Sequence, residues 1–256
     1  MTTPGAPLAD QTALITGATR GLGRAIADAF ASRGARIVVT SRKAEACRTV
    51  ADELTAAHGV QTWAMPCNVS SWDDCTLLAQ EAEAATGGID VLINNAGLSP
   101  LYPSLPEIGE ALYDKVFGVN AKGPFRLSTL IGERMSERGR GSIINISSIE
   151  SLYPTPHALP YAAAKAALNV LGPGLARAFA PHVRVNTILA GPFLTDVAAA
   201  WDMDAFAEIA DRGIALKRAG RPEEIVGAAL YLASDAGSFT NGSEIRVDGG
   251  VFGALT

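Results

Sequence analysis

Apolar and polar positions along the 256-residue chain fall into two alternating kinds of stretch. The short β-rich runs TALIT, RIVVT, QTWAM, DVLINN, SIINIS, VRVNTI and EIRVD read as strands. Between them, segments such as RAIADAFASR and AEACRTVADELTAAH repeat apolar residues at intervals of three and four, the spacing of a helix with one buried face. Several strand runs are nearly all apolar, which suits strands covered on both sides. The alternation predicts a doubly wound α/β fold: a mostly parallel sheet of seven strands with helices on both faces, in a single domain.

No repeat, low-complexity tract or long linker interrupts this order. The irregular pieces are 98–109, which contains Pro and Gly, and 192–220. Both are too short for separate domains, and they read as loops, or as a small substrate lobe at about 192–220, over the edge where the strands end.

Composition narrows the possible functions. With 48% hydrophobic residues the chain can bury a sizeable core, and its net charge of -5 comes with Lys and Arg scattered rather than striped. That pattern argues against a nucleic-acid partner. The N-terminal MTTPGAPLAD lacks a basic segment followed by an apolar one, and no charge-free run of 18 apolar residues occurs, so a cytoplasmic protein without membrane spans is expected. Cys47, Cys67 and Cys75 are odd in number and form no CxxC, which predicts free thiols and no metal site.

The stretch TGATRGLG at 16–23 leaves the first strand and opens a helix. Backbone N–H groups at such a helix start favour phosphate. Gly17 and Gly21 let the backbone approach a pyrophosphate, and Gly23 allows helix and strand to pack closely, with Thr19, Arg20 and Leu22 filling the rest of the loop.

The TGxxxGxG spacing resembles the short-chain dehydrogenase/reductase family, and the resemblance runs on over about residues 10–252. It continues through NNAG at 94–97, VNAKGPF at 119–125, NISS at 145–148, YAAAK at 161–165, RPEEI at 221–225 and VDGG at 247–250. The resemblance implies a Rossmann-like sheet, a nicotinamide cofactor, a small-molecule carbonyl or alcohol substrate and a homo-oligomer, tetramer or dimer.

The end of the second strand bears on the cofactor. In Rossmann units an acidic residue there accepts from a ribose 2′-OH, whereas arginine accommodates a 2′-phosphate. Here Ser41 holds the acidic position and Arg42 follows, with Arg20 as a second guanidinium, so NADP(H) is expected. The adenine side would be lined by Asn68 and Val69, where the family usually has Asp before Val, and by Asn95, Ala96 and Gly97. An amide at 68 still accepts a hydrogen bond but adds a donor and removes a charge. Gly191 and Thr195 are the family's positions after the sixth strand, although Ala190 and Pro192 depart from its usual Pro-Gly pair.

Tyr161 and Lys165 lie four apart on a helix, so they share one face. An ammonium near a phenol would favour the phenolate and make Tyr161 a general acid for carbonyl reduction and a base for alcohol oxidation. Ser148, 13 residues before Tyr161, matches the position whose hydroxyl steadies the substrate oxygen; Ser147 is its competing neighbour. By resemblance Asn120 is the fourth catalytic residue, its carbonyl holding a water in a relay to Lys165, which also bonds the nicotinamide ribose. Taken singly, each of these residues has an ordinary structural reading.

Pro173, inside LGPG of the Tyr161 helix, predicts a kink near 169–173. His157 reads as a loop histidine, and Leu152, Tyr153, Phe193, Trp201 and Met203 as an apolar substrate wall or core. The motifs leave two other functions open: a reductase of 3-oxoacyl thioesters, and a nicotinamide redox sensor without turnover. The intact Asn120, Ser148, Tyr161 and Lys165 set speaks against the sensor, which needs no proton donor.

Overall fold

The structure, a computed structural model, describes residues 8–196, 202–251 and 253. Seven strands form one sheet: β1 (Thr12–Thr16), β2 (Arg36–Thr40), β3 (Thr62–Ala64), β4 (Val91–Asn94), β5 (Gly141–Ser148), β6 (Val183–Ala190) and β7 (Glu244–Val247). Their spatial order is β3-β2-β1-β4-β5-β6-β7, and every neighbouring pair is parallel. The order reverses between β1 and β4, which opens a crevice at the carboxyl ends of those two strands.

Among the described residues, eight α-helices lie between the strands: α1 (Gly21–Ala31), α2 (Ala44–His58), α3 (Trp72–Thr86), α4 (Glu110–Phe117), α5 (Gly123–Glu137), α6 (Leu159–Ala178), α7 (Met203–Gly213) and α8 (Val226–Ala233). Successive strand side chains go to opposite faces, so the apolar strand runs feed two cores. On one face Ala13, Ile15, Ile37, Val39, Ile93 and Ile144 pack with Phe30 of α1, Leu54 of α2 and Leu232 of α8. On the other, Leu14, Val38, Leu92, Ile143 and Val185 pack with Leu78 of α3, Leu127 and Ile131 of α5 and Leu175 of α6.

The strand assignments hold, with small changes at their ends. QTWAM shrinks to three paired residues, yet Gln61 and Met65 still hydrogen-bond to β2 at each end. Pro173 lies inside α6, which runs on through it to Ala178. A proline there removes only its own N–H from the ladder, so the bond to the Asn169 carbonyl is the one lost.

Chain 192–220 leaves the sheet end and returns to it. Phe193 and Gly220 meet in a parallel bridge, with Leu194 N–H donating to Gly220 at 2.8 Å and Gly220 N–H to Pro192 at 2.9 Å. Ile214 pairs with Val251 beyond β7. Within this stretch Ala210 of α7 and the following Ile214 pack with Ile149 and Val251, with partly buried Tyr153 and Phe206 against them. Phe193 is buried in the main core, whereas Leu152 and Met203 are exposed; Trp201 lies outside the described residues.

Candidate active site

Two of the sequence motifs are physically one unit at the crevice. The Thr16 hydroxyl, at the end of β1, accepts from the N–H groups of Asn95 and Ala96, both at 3.0 Å. In return the Asn95 amide donates to the Thr16 and Gly17 carbonyls at 2.8 and 3.2 Å. This clasp explains two glycines: a Cβ on Gly17 would lie 2.9 Å from Asn95 Nδ2, and one on Gly23 would lie 2.3 Å from it and 2.4 Å from the Gly17 carbonyl. Gly17 and Gly21 also have positive φ, 66° and 54°, which favours glycine.

The N-terminus of α1 suits an anion. Arg20 at its cap position makes no side-chain capping bond, and the first turn holds no acidic residue, so the orphan N–H groups there have no carboxylate to answer them. Thr195 abuts the same loop, its Cβ and Cγ2 each 3.3 Å from where a Gly21 side chain would begin. Thr19 and Leu22 are half-buried, Leu22 against the main core.

The surroundings of the remaining cofactor candidates differ from one another. Arg42 is exposed just past β2 and makes no ion pair among the described residues, while Arg20 reaches Asp196 at 3.7 Å. Ser41 hydroxyl and Cys47 thiol lie 3.3 Å apart. Asn68 turns its amide oxygen to Ser70, accepting from the Ser70 N–H and hydroxyl at 3.3 and 2.9 Å. Val69 is buried, and its carbonyl accepts from the Cys75 thiol at 3.4 Å. Gly191 is accounted for by packing, since a Cβ there would lie 2.6 Å from Asp248 Cα.

Beside the crevice, the expected catalytic residues converge from three elements. Ser148 ends β5, Tyr161 and Lys165 share a face of α6, and Asn120 sits in a π-helical turn, Gly118–Lys122, between α4 and α5. Buried Asn120 is locked to the chain after β4: its amide donates to the Leu98 and Val116 carbonyls at 2.8 and 2.9 Å and accepts from Leu98 N–H at 3.2 Å. A Cβ on Gly97 would lie 3.3 Å from Asn120 Oδ1 and 3.9 Å from Lys165 Nζ, so these three positions surround one small space. The Lys165 ammonium donates to the Ile146 carbonyl at 2.7 Å and stands 5.6 Å from the Tyr161 ring centre. Ser147 is turned away, bonding the Lys165 carbonyl at 3.3 Å.

Electrostatics at this site correct one expectation. The cation beside Tyr161 does not favour the phenolate here, because burial dominates both groups. Burial pushes Tyr161 up to about 12, the Ser148 hydroxyl hydrogen-bonded to it pulls the other way, and the Glu150 carboxylate adds a further upward push. Burial alone brings Lys165 down to about 7. Tyr161 therefore holds its proton at neutral pH, as an acid must.

Around this centre the structure adds residues that no motif marked. Glu150 N–H donates to Ser148 Oγ at 3.2 Å, and the Glu150 carboxylate accepts from Thr155 N–H at 2.9 Å. The Tyr102 hydroxyl ties the 98–109 loop to the start of α6, donating to the Pro156 carbonyl at 2.5 Å and accepting from Leu159 N–H at 2.9 Å. Pro100, Tyr102, Leu112, Val116, Ala158 and Pro160 line a small apolar hollow against Tyr161.

Comparison with known proteins identifies the family. A family model described as enoyl-(acyl carrier protein) reductase matches residues 17–252. Dehydrogenase/reductase SDR family member 4 of Bos taurus is 35% identical over 246 residues, 95% of this chain and 88% of that one. The chain belongs to the short-chain dehydrogenase/reductase family. Other members include 5-keto-D-gluconate 5-reductase of Escherichia coli strain K12, 34% identical over 250 residues, 97% of this chain and 98% of that one. A solved 7α-hydroxysteroid dehydrogenase, complexed with NADH and 7-oxo glycochenodeoxycholic acid, superposes with a TM-score of 0.92 at 31% identity and full coverage of both chains. Members of the family are oxidoreductases that use nicotinamide cofactors, and this chain is one of them. No helix among the described residues is long and apolar enough to cross a membrane.

Proposed function

We propose that this oxidoreductase moves a hydride between NADP(H) and a carbonyl or secondary alcohol, with Tyr161 as the general acid and base. The observation that carries the reading is the convergence of Ser148, Tyr161 and Lys165 with Asn120 at Gly97, beside an uncapped helix start. Bound nicotinamide supplies or accepts the hydride. Tyr161, protonated at neutral pH, donates to the developing alkoxide. Ser148 hydrogen-bonds the same oxygen, and Glu150 N–H holds one lone pair of the Ser148 hydroxyl so that its proton is aimed elsewhere. Lys165 brings positive charge towards Tyr161 once it is protonated, and Asn120 fixes the backbone around it.

On the cofactor side, the α1 N-terminus would receive the pyrophosphate, and Gly17, Thr19, Gly21, Leu22 and Gly23 would form its cradle. Arg42 would take the 2′-phosphate beside Ser41, with Arg20 exchanging its contact with Asp196 for it. Asn68, Val69, Asn95, Ala96 and Gly97 would line the adenosine side, and Thr195 the nicotinamide side. Residues 192–220 would form the substrate lobe. The reading includes a homo-oligomer, since Trp72, Tyr113 and Phe125 are large apolar groups left exposed on α3, α4 and α5; light scattering of the purified protein checks it.

The deciding experiment is steady-state oxidation of NADPH and NADH across ketones, aldehydes, keto sugars and 3-oxoacyl thioesters, with Tyr161→Phe as control. Turnover with NADPH that vanishes in the variant is the expected result. Tight cofactor binding without turnover on any substrate would favour the sensor, and a preference for NADH would overturn the cofactor assignment.

A further inference from the structure

We propose that Asn169 and Ser151 are positioning residues for Ser148, forming a polar clamp from α6 to the backbone that carries its hydroxyl. The proposal rests on the reading of Ser148 as a donor to the substrate oxygen. Tyr161, Lys165 and Asn169 follow one another at intervals of four, so they occupy one face of α6. The first two belong to the proposed chemistry. The Asn169 side chain makes no hydrogen bond to either of them among the described residues, yet it is buried at 7% exposure.

An asparagine is a poor choice for that position on packing grounds. Its Oδ1 has no hydrogen-bond partner among the described residues, and Pro173 cannot give the Asn169 carbonyl its helical bond. A buried amide that leaves acceptors unmet requires an explanation, which its other end supplies. Asn169 Nδ2 donates to Ser151 Oγ at 2.9 Å, and Ser151 Oγ donates to the Ser148 carbonyl at 2.6 Å. Ser151 has a single proton and gives it to Ser148, so it can only accept from Asn169; the direction of the chain is fixed by counting protons.

Ser148 is thereby held from both sides. Its carbonyl is gripped by the clamp, and its Oγ accepts from Glu150 N–H in the 3-10 turn Ile149–Ser151. Fixing the peptide after Ser148 fixes the direction of its Cα–Cβ bond and the position of the Glu150 N–H. A loosened clamp would let the hydroxyl swing without removing it. Such misplacement costs turnover more than binding.

The test measures kcat and KM with saturating cofactor for Asn169→Leu and Ser151→Ala, each made in the wild-type and in the Ser148→Ala background. Roughly tenfold lower kcat is expected for each single variant. Cofactor KM should be unchanged, the pair should lose no more than either alone, and Ser151→Thr, which keeps the hydroxyl, should restore the rate. In the Ser148→Ala background neither change should have further effect. Equal fractional losses in both backgrounds would overturn the clamp in favour of a purely structural role.

A second readout needs no turnover. Amide exchange at Glu150 should accelerate about tenfold in both variants at unchanged unfolding midpoint, because its acceptor is no longer held. Unchanged exchange would overturn the clamp even if the enzyme is active. Accelerated exchange in a protein with no turnover would uphold the clamp and count against the proposed function instead.

Discussion

At the scale of single residues, the site is built from two groups that burial moves in opposite directions. Burial keeps the proton on Tyr161 and weakens its hold on Lys165. Tyr161→Phe should therefore cut kcat by roughly 10²- to 10⁴-fold while leaving cofactor affinity, measured by fluorescence titration, nearly intact. Lys165 carries a stability cost of known sign. Its folded value of about 7 lies below the ordinary 10.5 that applies once the chain unfolds, so the unfolded state binds more protons between those limits. Stability from this group rises with pH across that window and is lowest below pH 7. Lys165→Met should accordingly stabilise the cofactor-free protein by about 3 to 5 kcal/mol below pH 7, with the gain shrinking to nothing near pH 10.5 in denaturant titrations. A variant that is more stable and inactive would mark the lysine as kept for chemistry rather than for the fold. The spacing of Tyr161 and Lys165 was legible in the sequence because a helix turns chemistry into a four-residue interval. Their charge states were not, because they depend on burial that only the packed sheet provides.

At the scale of elements, the glycine loop separates positions that a motif treats alike. Gly23 has the Gly17 carbonyl and the Asn95 amide where a side chain would start, so Gly23→Ala should destabilise the protein by about 1 to 3 kcal/mol and weaken cofactor binding with it. Gly174 in α6 has nothing within 4 Å of its missing Cβ, so Gly174→Ala should raise stability by about 0.5 to 1 kcal/mol. Thermal unfolding of the two variants side by side checks the contrast. At the end of β2, exposed Arg42 is the test of cofactor choice. Replacing Ser41 with Asp and Arg42 with Ser should weaken NADPH at least roughly tenfold and spare NADH, read from the two KM values. Most of these elements could be found in the sequence, since seven apolar runs became seven strands with ends shifted by no more than two residues. What escaped it was the second use of a motif residue: Asn95 as the clasp on the glycine loop, and Gly191 as a seat for Asp248. Contacts between segments distant in sequence leave no periodic trace.

At the scale of the whole molecule, one sheet divides two cores, and all three cysteines lie inside them as free thiols. A thiol reagent should find none of them in the native protein and three per chain on unfolding, with the same denaturant midpoint as circular dichroism. The fold was legible at this scale because a parallel sheet needs strands that are apolar on both faces. The substrate was not, because the pieces that would meet it are the irregular ones. The way 192–220 is attached gives this a practical meaning. Its two ends meet where Phe193 and Gly220 are bonded side by side, and Ile214 ties it to Val251 beyond β7, while the catalytic candidates sit on β5, α6 and the turn before α5. On the proposed reading of 192–220 as the substrate lobe, grafting a relative's excursion between those two residues would change the substrate accepted while leaving Ser148, Tyr161 and Lys165 in place.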